Sequence, residues 1–133
     1  VVSLGEADFL LAFEYLEGLR YLPYLCKGGV SIVSTQKIEP VPVKLGKASY
    51  PASQDELFLA QGKLISLPAD ILAKEVGNIK MVNTLLLGVL SCWIDCKEGL
   101  WEEVIGEMVK PESREPNMKA FKRGRSIGQE SKA

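Results

Sequence analysis

The chain of 133 residues contains no histidine. That excludes a Ser-His-Asp or Cys-His catalytic arrangement within the chain and removes the commonest metal ligand. Cysteine is scarce too: Cys26, Cys92 and Cys96 are three in number and form no C-x-x-C pair. An iron–sulfur cluster or structural zinc held by these residues alone is therefore not expected. An odd number of cysteines with no secretory segment ahead of them points to reduced thiols in a cytoplasmic setting. The opening V-V-S-L-G has no basic region of the signal-peptide kind. No apolar run reaches the ~18 residues of a membrane span, and the longest, Thr84 to Ile94, is interrupted by Gly88 and Ser91. Membrane partners are not expected.

What is present is ordinary for a globular domain: 47% hydrophobic and 25% charged residues, with a net charge of −1. The charge is unevenly placed. From Lys110 onward seven cations face three anions, a balance of +4, which leaves −5 for the remainder. Such a tail can meet nucleic acid or an acidic partner. The plainer reading is a solvated helix face, and nucleic acid is not the expected partner.

Phe9 to Phe13 is a continuous apolar run of strand length, which suggests a parallel strand covered on both faces. Leu16, Leu19, Leu22 and Cys26 follow at helical spacing, with Pro23 set to kink the helix or restart a turn. Lys27-Gly28-Gly29 is a helix stop, and Val30 to Thr35 is a second strand. Strand, helix and strand within about thirty residues make a βαβ unit with parallel pairing. Gln36 to Pro51, with Pro40, Pro42, Gly46 and Pro51, is expected to be extended. A short helix over 53–61 is expected to start on a Ser53/Glu56 capping box. Leu64 to Leu67 is a third strand, and Pro68 opens a helix that ends at Gly77-Asn78. Lys80 to Trp93 is helical and apolar nearly all round. Lys97 to Val109 carries an apolar stripe of Leu100, Trp101, Val104, Ile105 and Met108. A last helix runs from Asn117 to about Gly124, and 125–133 are expected to be a flexible tail. The chain is thus a single domain with a sheet portion over 1–67 and a helical portion over 68–124.

Candidate ligand- or subunit-contact residues follow from this order. Glu14 directly follows the first strand, where open α/β sheets keep their ligands. It also stands where a carboxylate caps the next helix. Glu17 and Arg20 are i, i+3 neighbours able to pair. Thr35 and Gln36 end the second strand on the same edge. Asn83, one turn into the most apolar helix, is expected to be a buried amide that needs a partner. Cys92 and Cys96 are two ligands at most, too few for a closed metal site, and are expected to be buried free thiols. Gly28-Gly29 precedes a strand and so lacks the geometry of a phosphate-cradling loop.

The segments E-A-D-F-L-L-A-F-E-Y-L-E-G-L-R-Y-L-P-Y-L, K-G-G-V-S-I-V-S-T-Q-K-I-E-P-V-P-V, A-K-E-V-G-N-I-K-M-V-N-T-L-L-L-G-V-L and N-M-K-A-F-K-R-G, in this order, resemble the gamma-type domain of 2-oxoacid:ferredoxin oxidoreductases. Within that family the likeness is to the indolepyruvate type. It implies a Rossmann-like, three-layer α/β domain with a parallel sheet and a helical C-terminal part. It implies work as one subunit of an enzyme that decarboxylates a 2-oxoacid, an indolepyruvate or other aryl oxoacid, passes electrons to ferredoxin and forms an acyl-CoA. Thiamine diphosphate, magnesium and iron–sulfur clusters are implied in a larger partner subunit, with CoA as substrate and no catalytic residue or cofactor in the isolated chain. Family members usually begin with a strand and a G-x-G-G-Q-G turn. This sequence starts after that point, so the first strand–helix portion is expected to be missing. The usual N-T-Q is Ser34-Thr35-Gln36 here. The alternative, from a different class, is a stand-alone α/β module that binds a nucleotide or CoA at the strand ends.

Overall fold

The computed structural model describes residues 1–133. The chain divides into two compact units, Val1–Leu67 and Pro68–Ala133.

The first unit is built on three parallel strands in the order β1 (Ala7–Ala12), β2 (Leu25–Ser34), β3 (Lys63–Leu67). Helix α1 (Tyr15–Tyr21) makes the crossover from β1 to β2. It ends at Leu22, where Pro23 restarts the chain as a single 3-10 turn over Leu22–Tyr24. A one-turn helix α2 (Val41–Lys44) and helix α3 (Asp55–Gln61) precede β3. Ala12, Tyr15, Val33 and Phe58 form the core between sheet and helices, with Leu10, Leu19, Leu22, Tyr50 and Leu64 packed around them. Tyr15 and Phe58 meet with ring centroids 5.9 Å apart.

The parallel α/β reading holds, and several local expectations are corrected. The strand shut off on both faces is β2, whose Ile32 and Val33 are both fully buried. β1 is an outer strand, with Phe9, Leu10 and Leu11 only half-buried, because it pairs with β2 alone. Lys27-Gly28-Gly29 is not a helix stop but part of β2. There the pairing jumps from Ala7↔Leu25 to Phe9↔Val30, and Gly28, at φ +83°, takes the left-handed conformation that the irregularity needs. Cys26 accordingly lies on the strand and not on the helix stripe. The expected extended stretch contains α2, since Pro42 sits in the first turn of a helix, where its missing N–H costs nothing. α3 starts on Gln54 without a side-chain cap, and the Gln54 N–H is instead taken up by the Tyr15 hydroxyl at 2.7 Å.

The second unit is helical: α4 (Ala69–Glu75), α5 (Val82–Ser91), α6 (Glu98–Met108) and α7 (Arg114–Lys132), with single 3-10 turns at Ile79–Met81 and Pro111–Ser113. No helix is long and apolar enough to cross a membrane. The expected flexible tail is helix: α7 continues through Gly124 to Lys132. The reason is close packing. A Cβ on Gly124 would sit 1.9 Å from the Leu85 carbonyl oxygen, and one on Gly88 would sit 2.2 Å from that of Phe121. These glycines are the contact surface of α5 and α7, so Gly124 lets a second backbone approach where sequence alone suggested an end. Lys119 and Lys122 lie on the solvent face, where Lys119 pairs with Glu115 and Lys122 with Glu102 on α6, whereas Arg125 turns inward and donates to the Ser91 hydroxyl of α5 at 2.9 Å.

Gly124→Ala is expected to destabilise the chain by about 1–3 kcal/mol through overpacking, measured as a lowered urea midpoint. Gly99→Ala, on α6 with nothing near its Cβ, is expected to be neutral or to gain up to about 1 kcal/mol from helix propensity.

Candidate functional site

The carboxyl ends of β1 and β2 bring the sequence candidates of the first unit together. Glu14 is buried, only 7% exposed, and stands at the N-cap of α1. One carboxylate oxygen accepts from the Glu17 N–H at 3.0 Å, satisfying a donor that the helix start leaves open. The other accepts from the Ile38 N–H at 3.1 Å and from the Tyr50 hydroxyl. That hydroxyl in turn accepts from the Leu16 N–H at 3.2 Å. One carboxylate therefore ties the start of α1 to both ends of the 38–50 excursion.

The electrostatics follow from these contacts. Burial pushes the Glu14 carboxyl up, but the hydrogen bonds from Tyr50, Ile38, Glu17 and Leu16 outweigh it and hold it below the usual carboxylate range. Tyr50 is pushed well above the usual phenol range, by burial first and then by the Glu14 carboxylate. At neutral pH the pair is a carboxylate and a neutral phenol, a charge-assisted hydrogen bond.

A second network adjoins the first. The Tyr15 N–H donates to the Gln36 carbonyl at 3.1 Å, joining the end of β2 to the start of α1. The Tyr15 hydroxyl donates to Asp55 at 2.8 Å while receiving Gln54. Thr35 is exposed, and its N–H donates to Leu67 at 2.9 Å at the end of β3. Thr35, Tyr15, Lys37, Ser53, Asp55 and Ser66 line a polar cavity of about 200 Å³. Glu17 and Arg20 do pair, at 3.0 Å on the surface. With Glu14, Leu16, Ile38 and Pro40 they line a second cavity of about 340 Å³.

Asn83 belongs to neither cavity and is not the buried amide expected. Its side chain is exposed and accepts from the Thr84 N–H at 2.9 Å. The buried polar residue is its neighbour Thr84, which donates to Asn117 at 2.6 Å, and Asn117 donates on to Ser113. α5 begins at Val82, so the helix phase turns position 84 inward. Cys26, Cys92 and Cys96 are free and half-buried.

Sequence reasoning missed Tyr50, Tyr15 and Asp55. A tyrosine standing alone among proline, serine and glycine is the signal for Tyr50: loops rarely spend an aromatic unless it is packed. Tyr15 and Asp55 lie forty residues apart and carry no local signal.

With this geometry in place, likeness to known proteins becomes informative. Residues 2–127 match the family model of pyruvate ferredoxin/flavodoxin oxidoreductase. The chain belongs to that family. It is 38% identical over 130 residues to indolepyruvate oxidoreductase subunit IorB of Thermococcus kodakarensis, and 36% identical to the IorB of Pyrococcus horikoshii. In both cases the match takes in 93% of this chain and 64% of the relative, so the chain spans a little under two thirds of the length of those relatives. The gamma subunit of a keto/oxoacid ferredoxin oxidoreductase from Geobacter sulfurreducens has the same fold, with a TM-score of 0.72 at 22% identity. That alignment covers 98% of this chain and 69% of the other. The buried Glu14 lies within the A-F-E-x-x-E-x-x-R segment and inside the matched residues 2–127.

Glu14→Gln is expected to lower stability by about 1.5–3 kcal/mol, since an amide replaces a charged acceptor of several donors. The wild-type contribution is complete above the usual carboxylate range and is lost as pH falls through the depressed Glu14 value. Urea unfolding across the acid limb should therefore show the wild type converging on Glu14→Gln as the pH drops.

Proposed function

We propose that the chain works as part of a subunit of a thiamine-diphosphate-dependent 2-oxoacid:ferredoxin oxidoreductase that acts on indolepyruvate or a related aryl oxoacid and forms an acyl-CoA. The observation that carries this reading is the family match over residues 2–127, together with 38% identity to a protein named for indolepyruvate.

No three histidine, cysteine, aspartate or glutamate side chains are grouped so as to hold a metal ion. The proposal assigns thiamine diphosphate with its magnesium and the iron–sulfur clusters to a larger partner subunit. Ferredoxin then meets the complex through that partner, and the assembly works in the cytoplasm. What this chain contributes is a rigid polar rim at the carboxyl ends of its strands. Glu14 and Tyr50 fix the 38–50 segment there, while Glu17 and Arg20 border one cavity and Thr35 and Lys37 the other. Gln36 sets the β2 end against α1 through its carbonyl. Such a rim suits contact with a partner subunit or with CoA held between subunits. Asn83, exposed on α5, joins the contact residues on the second unit.

The test is co-expression with the larger, thiamine-dependent subunit. The account expects a stable complex that reduces a viologen dye with indolepyruvate and CoA. The isolated chain is expected to be inactive and to show no iron–sulfur absorbance. A cluster bound to the isolated chain would overturn the proposal. Tight calorimetric binding of CoA or an adenine nucleotide to the chain alone, with no complex formed, would favour a stand-alone binding module.

A further inference from the structure

Two of the three thiols border one cavity. α5 ends at Ser91, and the chain turns through Cys92-Trp93-Ile94-Asp95-Cys96 before α6 begins at Glu98. Backbone bonds hold the turn: the Trp93 N–H donates to the Leu90 carbonyl at 2.9 Å, and the Cys96 N–H to the Ile94 carbonyl at 2.8 Å. Cys92 and Cys96 both line a cavity of about 310 Å³, together with Ser91, Asp95, Arg125 and Lys132. All of these residues belong to the second unit. Cys26 is the one cysteine of the first unit, on β2 beside Asp8.

The two thiols of the second unit are held differently. Cys92 Sγ is wedged between α5 and α7. It donates to the Arg125 carbonyl at 3.4 Å and lies 3.8 Å from the Gly88 carbonyl. Gly128 packs so close that a Cβ there would sit 2.7 Å from the sulfur. The room left to the Cys92 sulfur is therefore on the cavity side. Burial pushes its thiol up, against the opposing pull of Arg125 and Lys132, so it stays protonated at neutral pH. Cys96 lies outside any helix, between the exposed Asp95 and Lys97, with its Sγ 3.8 Å from the Lys97 carbonyl. It is the thiol that a small solute reaches first. A turn with three intervening residues can bring two Cα atoms within the about 7 Å that a disulfide spans.

We propose that Cys92 and Cys96 are a reversible thiol–disulfide pair, oxidised by a hydroperoxide that enters their shared cavity. The Cys96 sulfur attacks the peroxide O–O bond, takes one oxygen and becomes a sulfenic acid, while the other oxygen leaves as an alcohol, or as water from hydrogen peroxide. The Cys92 sulfur then attacks the Cys96 sulfur. The S–S bond forms, and the sulfenic hydroxyl departs as water with the Cys92 proton. Two thiols have lost two electrons, and the peroxide has gained them. The link would also withdraw the Cys92 S–H from the Arg125 carbonyl and fix the 93–95 turn across the end of α5. The inference rests on two thiols at one cavity and does not depend on the oxidoreductase reading.

Alkylation after oxidation tests it. The folded chain is treated with a slight excess of hydrogen peroxide, unfolded in urea with N-ethylmaleimide, and digested with trypsin. Cys92 and Cys96 fall in one tryptic peptide, Met81–Lys97, and Cys26 falls in another. Without peroxide, Met81–Lys97 takes two labels. After peroxide it should take none and weigh two hydrogens less than its reduced, unlabelled form. Dithiothreitol before alkylation should restore both labels. In Cys92→Ser the sulfenic acid at Cys96 meets no thiol and should be trapped by dimedone. Two labels on Met81–Lys97 after peroxide would overturn the proposal. So would sulfinic or sulfonic acid in place of the link, or a link from either cysteine to Cys26 or to a second chain. The wild-type chain alone decides this, whether or not the variant folds.

Discussion

The first unit depends on one buried carboxylate. Glu14 leaves water at a cost, and the cost is offset only because three separate segments bring donors to it: Glu17 on α1, Ile38 after β2, and Tyr50 at the far end of the excursion. Without it the start of α1 would lose its cap, and the 38–50 segment would lose its bonds to Glu14 at both ends, keeping only the Leu16 N–H on Tyr50. One of the cavities that flank the strand ends is bordered by this same group, the one lined by Glu17, Arg20, Ile38 and Pro40. Tyr15 extends the arrangement, its N–H on Gln36 and its hydroxyl between Asp55 and Gln54.

Much of this was legible in the residues. β-branched Val30 to Val33 announce the central strand, and Pro23 restarts a turn after α1 as its missing N–H requires. Glu14, following a strand and preceding a helix, is placed by sequence at a cap, and it is one. Its other two partners were not legible, because Tyr50 lies 36 residues away and Ile38 offers only a backbone N–H. Asn83 and Thr84 show a different limit. Apolar periodicity fixes a helix but not its phase to within one residue, and the inward polar position proved to be the threonine. Gly124 shows a third. A glycine in a helical pattern signals an end or a close approach, and only the neighbouring α5 decides between them.

The second unit is held by close contact where the first is held by polar ties. α5 and α7 approach backbone to backbone at Gly88 and Gly124, and α6 is fastened to α7 by Trp101 against Phe121 and by ion pairs from Glu98 and Glu102.

Amide hydrogen exchange, comparing the wild type with Glu14→Gln at neutral pH, measures the central claim directly. If Glu14 is the tie, exchange at Glu17 and Ile38 and across residues 38–50 will speed up together, while Ile32 and Val33 of β2 keep their protection. Unchanged protection at Ile38 and through the 38–50 segment would contradict it.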